Sequence, residues 1–292
     1  MSSSKAHPFA FAALILGNAA LAFGPWLVRL ADVGPASAGF WRLALALPFL
    51  LVIASLAGQP FRWPGWALAT AIAVAAFFFA ADLVAWHAGI ALTKLGNATL
   101  FANMSSFVFA AWGLWLVRRW PTRLQAAALI LAALGSALLM AGSAELSSRH
   151  LRGDLLALLA GLLYTGYLIG VERVRGQLQP MPVLILASLL GAAMLLPFAL
   201  ATGERLLPES WSALFWLALG SQVLGQGLLV YALGVVPPLV VGLALLTQPA
   251  ISAGIGWWAY GESLTPLDWL GAGGIAVALV LVRLRQPEEA TT

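Results

Sequence analysis

Cysteine is absent from the 292-residue chain, which excludes disulfides, thiolate metal ligands and cysteine nucleophiles. Charge is scarce too. Charged residues make up 9% of the chain, against roughly 25% in a soluble domain, too few to cover a water-facing surface. Histidine occurs only at His7, His87 and His150, and no His-Glu-x-x-His sequence is present. A Gly-x4-Gly-Lys-Ser/Thr phosphate loop is also missing, which argues against an ATP-driven mechanism in this chain. No cluster of acids suits a divalent cation, so neither a metal nor a cofactor is expected. The net charge of +4 is not gathered into a basic patch, and nucleic acid is not an expected partner.

What the chain has in abundance is apolar sequence: 62% of its residues, with a mean hydropathy of +0.93. A bilayer core about 30 Å thick needs about 20 apolar residues per helix. Ten such runs are present, at 9–29, 35–57, 65–92, 96–118, 122–142, 151–171, 181–202, 212–235, 238–260 and 266–284. Turn chemistry separates them, as at Gly34-Pro35, Gly58-Gln59-Pro60, Trp120-Pro121, Gln179-Pro180, Pro237-Pro238 and Thr265-Pro266. An outer-membrane barrel is not expected, since its strands would be about ten residues long and alternate polar with apolar. The first run is longer than the apolar core of a cleavable leader, although Ala20-Leu21-Ala22 mimics a cleavage site. The expected fold is therefore an all-α membrane protein with the lipid bilayer as its partner.

Basic residues in the gaps set the expected orientation. With the N-terminus cytoplasmic, Lys5, Arg62, Arg118, Arg119, Arg123, Arg173, Arg175, Arg283 and Arg285 lie inside. Arg29, Lys94, Arg149, Arg152 and Arg205 lie outside. The excess on the inner side favours both termini in the cytoplasm. Arginine outnumbers lysine 13 to 2, which points to a GC-rich bacterial source and a multi-pass protein of the inner membrane.

The two halves, 1–145 and 146–292, look alike. Leu47-Pro48-Phe49 recurs as Leu196-Pro197-Phe198, and Ala91-Leu92 as Ala232-Leu233. Arg119-Trp120-Pro121-Thr122 matches Glu262-Ser263-Leu264-Thr265. Five helices per half, an odd number, would turn the second half upside down relative to the first. Ten transmembrane helices arranged as two inverted five-helix repeats are characteristic of secondary transporters.

These residues carry a family resemblance. Phe23-Gly24 with Arg29, Pro35 with Trp41-Arg42-Leu43-Ala44-Leu45-Ala46, Ala91-Leu92 with its short turn, and Thr247-Gln248-Pro249 are its pieces. Tyr260-Gly261-Glu262-Ser263-Leu264-Thr265 leading into Gly271 is the most specific of them. Over nearly its whole length the chain resembles the EamA type of the drug/metabolite transporter superfamily. Within it, the overall likeness is to exporters of aromatic and other apolar amino acids of the YddG type. Phe23 stands where that family commonly has tryptophan, and Ser105-Ser106 where a proline is usual. The resemblance implies export of a small metabolite by alternating access, without enzymatic activity.

Polar side chains inside hydrocarbon are costly and tend to face a bundle interior or a wet cavity. Asn18, Gln222 and Gln248 fall near mid-depth, Gln226 lies one turn from Gln222, and Asn103 shares a face with Ser106. Tyr164 and Tyr167 share another face, and Trp86 and Phe101 also lie deep. Together Asn18, Trp86, Phe101, Asn103, Tyr164, Tyr167, Gln222, Gln226 and Gln248 are the candidate substrate pathway, with interhelical hydrogen bonding as the plainer role for each amide. Arg42 and Asp82 match in depth and are a candidate ion pair, with Asp82 or His87 a candidate proton site. Pro25 and Pro249 are candidate bends for gating. Gly220, Gly225, Gly227, Gly242, Gly254 and Gly256 are expected to allow close helix approach.

A wall of amides and aromatics suits an apolar amino acid. Asp82 would equally serve organic cations, and nucleoside-like metabolites are a further alternative. An intramembrane lipid-modifying enzyme is the reading from another class. Asp82 and His87 are five residues apart, about 140° round a helix, and do not make a catalytic pair. No catalytic residue is assigned. Ten helices can enclose a pathway without a partner chain, so a monomer suffices.

Overall fold

The computed structural model describes residues 8–118, 120–143, 148–261 and 264–283. Lys5, Arg119, Arg285 and the Glu262-Ser263 part of the family motif lie outside the described residues. Every regular element among the described residues is helical. In order they are α1 (Pro8–Ala22), α2 (Gly24–Leu30), α3 (Pro35–Leu56), α4 (Trp66–Ile90), α5 (Leu95–Ala102), α6 (Met104–Val117) and α7 (Arg123–Ser143). There follow α8 (Ser148–Arg175), α9 (Pro180–Ala201), α10 (Ser212–Trp216), a π-helical segment (Leu217–Gln226), α11 (Gly227–Leu233), α12 (Pro238–Leu245), α13 (Thr247–Tyr260) and α14 (Pro266–Arg283).

Among the described residues, eight stretches are long and apolar enough to cross a membrane: Phe9–Leu30, Pro35–Leu56, Trp66–Ile90, Asn97–Val117, His150–Arg175, Pro180–Ala201, Ser212–Leu233 and Pro238–Tyr260. Two shorter apolar stretches, Arg123–Leu138 and Pro266–Val282, are also present among the described residues. The outer surface carries large apolar side chains such as Leu56, Trp66, Ile130 and Trp269, which a bilayer would cover. Four of the eight spans are assembled from pieces. The first is interrupted at Phe23, the fourth at Asn103 and the eighth at Leu246, while the seventh passes through the π segment. Among the described residues, α4 packs most heavily on α8, α3 on α9, α7 on α14, and α12 on α6. The span of α1 lies along the π segment and α11.

Close approach is provided by particular glycines. A Cβ at Gly161 of α8 would lie 2.4 Å from the Ala102 carbonyl oxygen, and one at Gly242 2.5 Å from that of Ser106. One at Gly135 would lie 2.6 Å from the Gly271 oxygen. The expectation for the glycines of the last spans holds for Gly225 and Gly242 but not for Gly220 or Gly254, which have open space beside them. Composition counts small residues without saying which side of a helix meets a neighbour.

α3 and α9 are each 22 residues long, start with a proline, and are followed two positions on by a glycine at φ +67°, Gly58 and Gly203. Pro48 nevertheless lies 13 residues beyond Pro35, and Pro197 lies 17 beyond Pro180. The two Leu-Pro-Phe triplets therefore stand one turn apart in depth. Each helix starts under a side chain from the loop after the other. The backbone N–H groups of Ala36 and Ser37 donate to the Glu204 carboxylate at 3.3 and 2.9 Å, and that of Met181 donates to Gln59 Oε1 at 3.4 Å. Glu204 sits in a wider strap, in which Trp41 Nε1 donates to the Leu206 carbonyl at 2.7 Å. There too, the Glu209 N–H donates to Asp32 at 2.6 Å and holds that carboxyl below its usual range, with Arg205 assisting.

A carboxylate at a helix N-terminus meets both the free N–H groups and the helix dipole, whereas an amide meets only the former. Glu204→Ala is expected to lower stability by about 1 kcal/mol, and Gln59→Ala by less. Thermal unfolding midpoints of the two purified variants compare these caps; equal shifts would show that charge adds nothing at Glu204.

Candidate functional site

The breaks in the helices place the polar side chains. At Asn103 the chain leaves α5, and the Asn103 side chain donates from Nδ2 to the Thr99 carbonyl at 2.7 Å. The Ser106 N–H then restarts the helix on the Asn103 carbonyl at 2.9 Å. At Leu246 the Thr247 hydroxyl donates to the Ala244 carbonyl at 2.7 Å, and Pro249 follows inside the new helix. Pro25 occupies the first turn after the break at Phe23. Both prolines thus stand at helix starts, where the missing N–H has no intrahelical partner to lose.

Between these breaks lies a cavity of about 40 Å³, lined by Leu21, Arg42, Phe79, Asp82, Trp86, Ala102, Asn103, Ser105, Tyr164, Gln226 and Gln248. Seven of the residues singled out in the sequence meet there: Arg42, Asp82, Trp86, Asn103, Tyr164, Gln226 and Gln248. Four others stand elsewhere. Asn18 is fully buried and accepts from Gln248 Nε2 at 2.8 Å. Tyr167 is fully buried, stacks on Phe79 at 4.4 Å and donates its hydroxyl to Gln226 Oε1 at 3.4 Å. Gln222 is held between Arg42 Nε at 3.2 Å and the Ser188 hydroxyl at 3.0 Å. Phe101 is half-buried and does not reach the cavity. Three of these four support the wall from behind.

Arg42 and Asp82 share the cavity but, contrary to the pairing their depth suggested, form no ion pair. The reason is visible at Arg42, whose Nε is engaged by Gln222 and whose guanidinium lies over the Phe79 ring at 5.6 Å. Phe79, Asp82 and Trp86 follow one another along one face of α4. Phe79 itself was hidden in the sequence by its place in the run Phe77-Phe78-Phe79, although its spacing from Asp82 and Trp86 was there to be read. Ser188, buried in α9, carried no signal at all.

A second chamber of about 630 Å³ opens at the end of the molecule where α2, α4 and α13 finish. Arg29, Pro35, His87, Thr93, Lys94, His150 and Tyr260 are among its walls. Arg29 donates to the Thr93 carbonyl at 2.5 Å and lies over the Tyr260 ring at 5.3 Å. His87 Nδ1 is 2.9 Å from the Pro35 carbonyl oxygen. A carbonyl only accepts, so the proton is on Nδ1, and His87 straps the end of α4 to the start of α3. His87 and Trp86 are consecutive, with rings 5.7 Å apart, yet His87 faces the vestibule and Trp86 the inner cavity. The partition is thus about one side chain thick. Trp86 Nε1 and His87 Nε2 are both buried without a hydrogen-bond partner among the described residues.

A helical protein with several membrane-crossing stretches and a buried polar cavity belongs to the multi-pass membrane proteins. Residues 151–284, just under half of the chain, match the EamA-like transporter family. The threonine/homoserine exporter RhtA of Escherichia coli strain K12 is 33% identical over 153 residues, 51% of this chain and 51% of that protein. The same exporter from strain O157:H7 matches to the same extent. The chain thus spans about half the length of the curated relatives it matches. A crystal structure of a protein with 16% identity superposes with a TM-score of 0.74, covering 97% of this chain and 99% of that chain. That likeness is one of fold alone. Arg42, Asp82 and Trp86 all lie outside the stretch that matches the family.

Proposed function

We propose that the chain is a secondary transporter that exports small neutral amino acids across a bacterial inner membrane by alternating access. The observation that carries this reading is the place of the inner cavity. It lies against Asn103 at one mid-span break and Gln248 beside another, and takes side chains from both halves of the chain. Interrupted helices meeting around a mid-depth polar site are the arrangement secondary transporters use.

The proposed architecture is ten membrane-spanning helices in two inverted repeats, 1–145 and 146–292. Registers support it. The breaks at Asn103 and Leu246 are 143 positions apart, as are the left-handed helix ends at Arg118 and Gly261. Packing supports it as well. The α3·α9 and α7·α14 contacts each join a helix to its counterpart, the contact of α6 with α12 corresponds to that of α13 with α5, and the contact of α4 with α8 corresponds to that of α1 with the π segment and α11. The vestibule opens at one end. At the other, Arg173 lies over Trp112 at 4.9 Å and Arg175 donates to the Val230 carbonyl at 2.8 Å. With both termini cytoplasmic, the vestibule faces outward. A single chain provides the whole pathway, and a monomer is the proposed unit.

Phe79, Trp86 and Tyr164 in the lining favour aromatic and other apolar amino acids, the class expected from the sequence. A second reading, small hydroxylated amino acids, draws on the cavity of about 40 Å³, on Asn103, Ser105, Gln226 and Gln248 in its wall, and on the relatives' activity as threonine and homoserine exporters. Uptake of labelled phenylalanine, leucine and threonine by proteoliposomes, with and without a pH gradient, tests both. Saturable uptake with mutual competition is expected, and the order of preference selects the reading. Folded protein that moves none of the three would refute amino-acid transport.

A further inference from the structure

We infer that Arg42 and Asp82 form a two-ended clamp for a free α-amino acid, the guanidinium receiving its carboxylate and the Asp82 carboxylate its ammonium. This deepens the transport reading and rests on it. Both side chains line the inner cavity, and they are only 2% and 5% exposed. Opposite charges buried in one small space ordinarily pair, because each alone bears a large desolvation cost. These two do not. Arg42 uses Nε on Gln222, and its terminal amino groups have no hydrogen-bond partner among the described residues. Asp82 accepts no hydrogen bond and joins no ion pair among the described residues.

The arrangement holds Arg42 away from Asp82. Gln222 is itself fixed by Ser188 at 3.0 Å, and the guanidinium plane rests over Phe79, which is stacked in turn on Tyr167 at 4.4 Å. The edge left over is the fork that matches a carboxylate with two parallel hydrogen bonds. A ligand that answers both residues carries an anion and a cation on one small molecule, as the main chain of a free amino acid does. A monocarboxylate or a simple amine answers only one and leaves the other buried and unpaired, so it is rejected. The amino-acid side chain is then left facing Asn103, Tyr164, Gln226 and Gln248. Both charges come from the first half of the chain, whereas three of the four residues left for the amino-acid side chain, Tyr164, Gln226 and Gln248, come from the second.

The test measures ligand-induced shifts in the unfolding temperature of the purified full-length protein, alongside uptake in proteoliposomes. The probes are threonine, leucine and phenylalanine, together with threonine methyl ester, which lacks the carboxylate, and N-acetylthreonine, which lacks the ammonium. At least one free amino acid is expected to raise the unfolding temperature, with both threonine derivatives weaker than threonine by at least about 30-fold in concentration. Arg42→Gln should abolish the penalty on the methyl ester while keeping that on the N-acetyl compound, and Asp82→Asn should do the reverse. Wild-type protein that binds both derivatives as well as threonine, or that responds to no free amino acid, overturns the clamp even if neither variant folds. Selective binding without uptake keeps the clamp and removes the transport reading.

Discussion

Trp86→Ala is expected to raise the reactivity of a thiol inside the central cavity by at least about tenfold, equivalent to about 1.4 kcal/mol in the closing of the partition. The chain has no natural cysteine, so Ser105→Cys provides a single reporter on the cavity wall. A membrane-impermeant thiol reagent applied from the vestibule side reads it. The Trp86 ring packs against α2, where a Cβ on Gly24 would lie 3.4 Å from Cη2, and truncation removes that wall. Trp86→Phe is the companion variant. It keeps a ring in place and deletes a buried indole N–H that has no partner, so closure should persist with stability unchanged or improved. Equal labelling in the parent and the alanine variant would put the barrier at some other residue.

Gly161→Ala is expected to cause one of the largest losses of stability available from a single methyl group, about 1–3 kcal/mol. The added carbon would meet the backbone of Ala102, at 2.4 Å from its oxygen and 3.0 Å from its carbonyl carbon, and backbone cannot rotate away as a side chain can. α8 packs here on the break that positions Asn103 and Ser105, and the Thr165 hydroxyl reaches the Ser105 carbonyl at 3.4 Å. Displacing α8 therefore also moves Tyr164, and uptake should fall together with the unfolding midpoint. Gly254→Ala is the control. It has open space around it and lies inside α13, where alanine is the better helix former, so its midpoint should hold or rise. Matching losses at the two sites would mean that the contact at Ala102 carries no special weight.

The helical stretches were legible because bilayer thickness dictates apolar length and prolines and glycines punctuate it. Pro35, Pro180, Pro238 and Pro266 each open a helix where the sequence places one. Gln226, Gln248, Asn103 and Tyr164 were also legible as polar groups within apolar runs, and each is in the candidate pathway read from the sequence. The π segment from Leu217 to Gln226 was not, because an extra residue per turn leaves no mark in a run already apolar on most sides. Nor was the division of labour between Gln222 and Gln226, one turn apart, of which the first anchors Arg42 and the second reaches the cavity. The Leu-Pro-Phe triplets show the opposite case, a short sequence match that the helices place at different distances from their starts.

Sequence alone determined that this chain forms long apolar helices, where they begin, and which few polar side chains must be buried among them. Only the tertiary structure decided which way each helix turns, and hence that Arg42 and Asp82 face one cavity unpaired while His87 faces another chamber. The reason is physical. A helix for a water-exposed surface carries one apolar stripe that sets its rotation, whereas these helices are apolar nearly all round. Their rotation is set instead by small-residue contacts such as Gly161 on Ala102 and Gly242 on Ser106, which exist only once the helices are packed together.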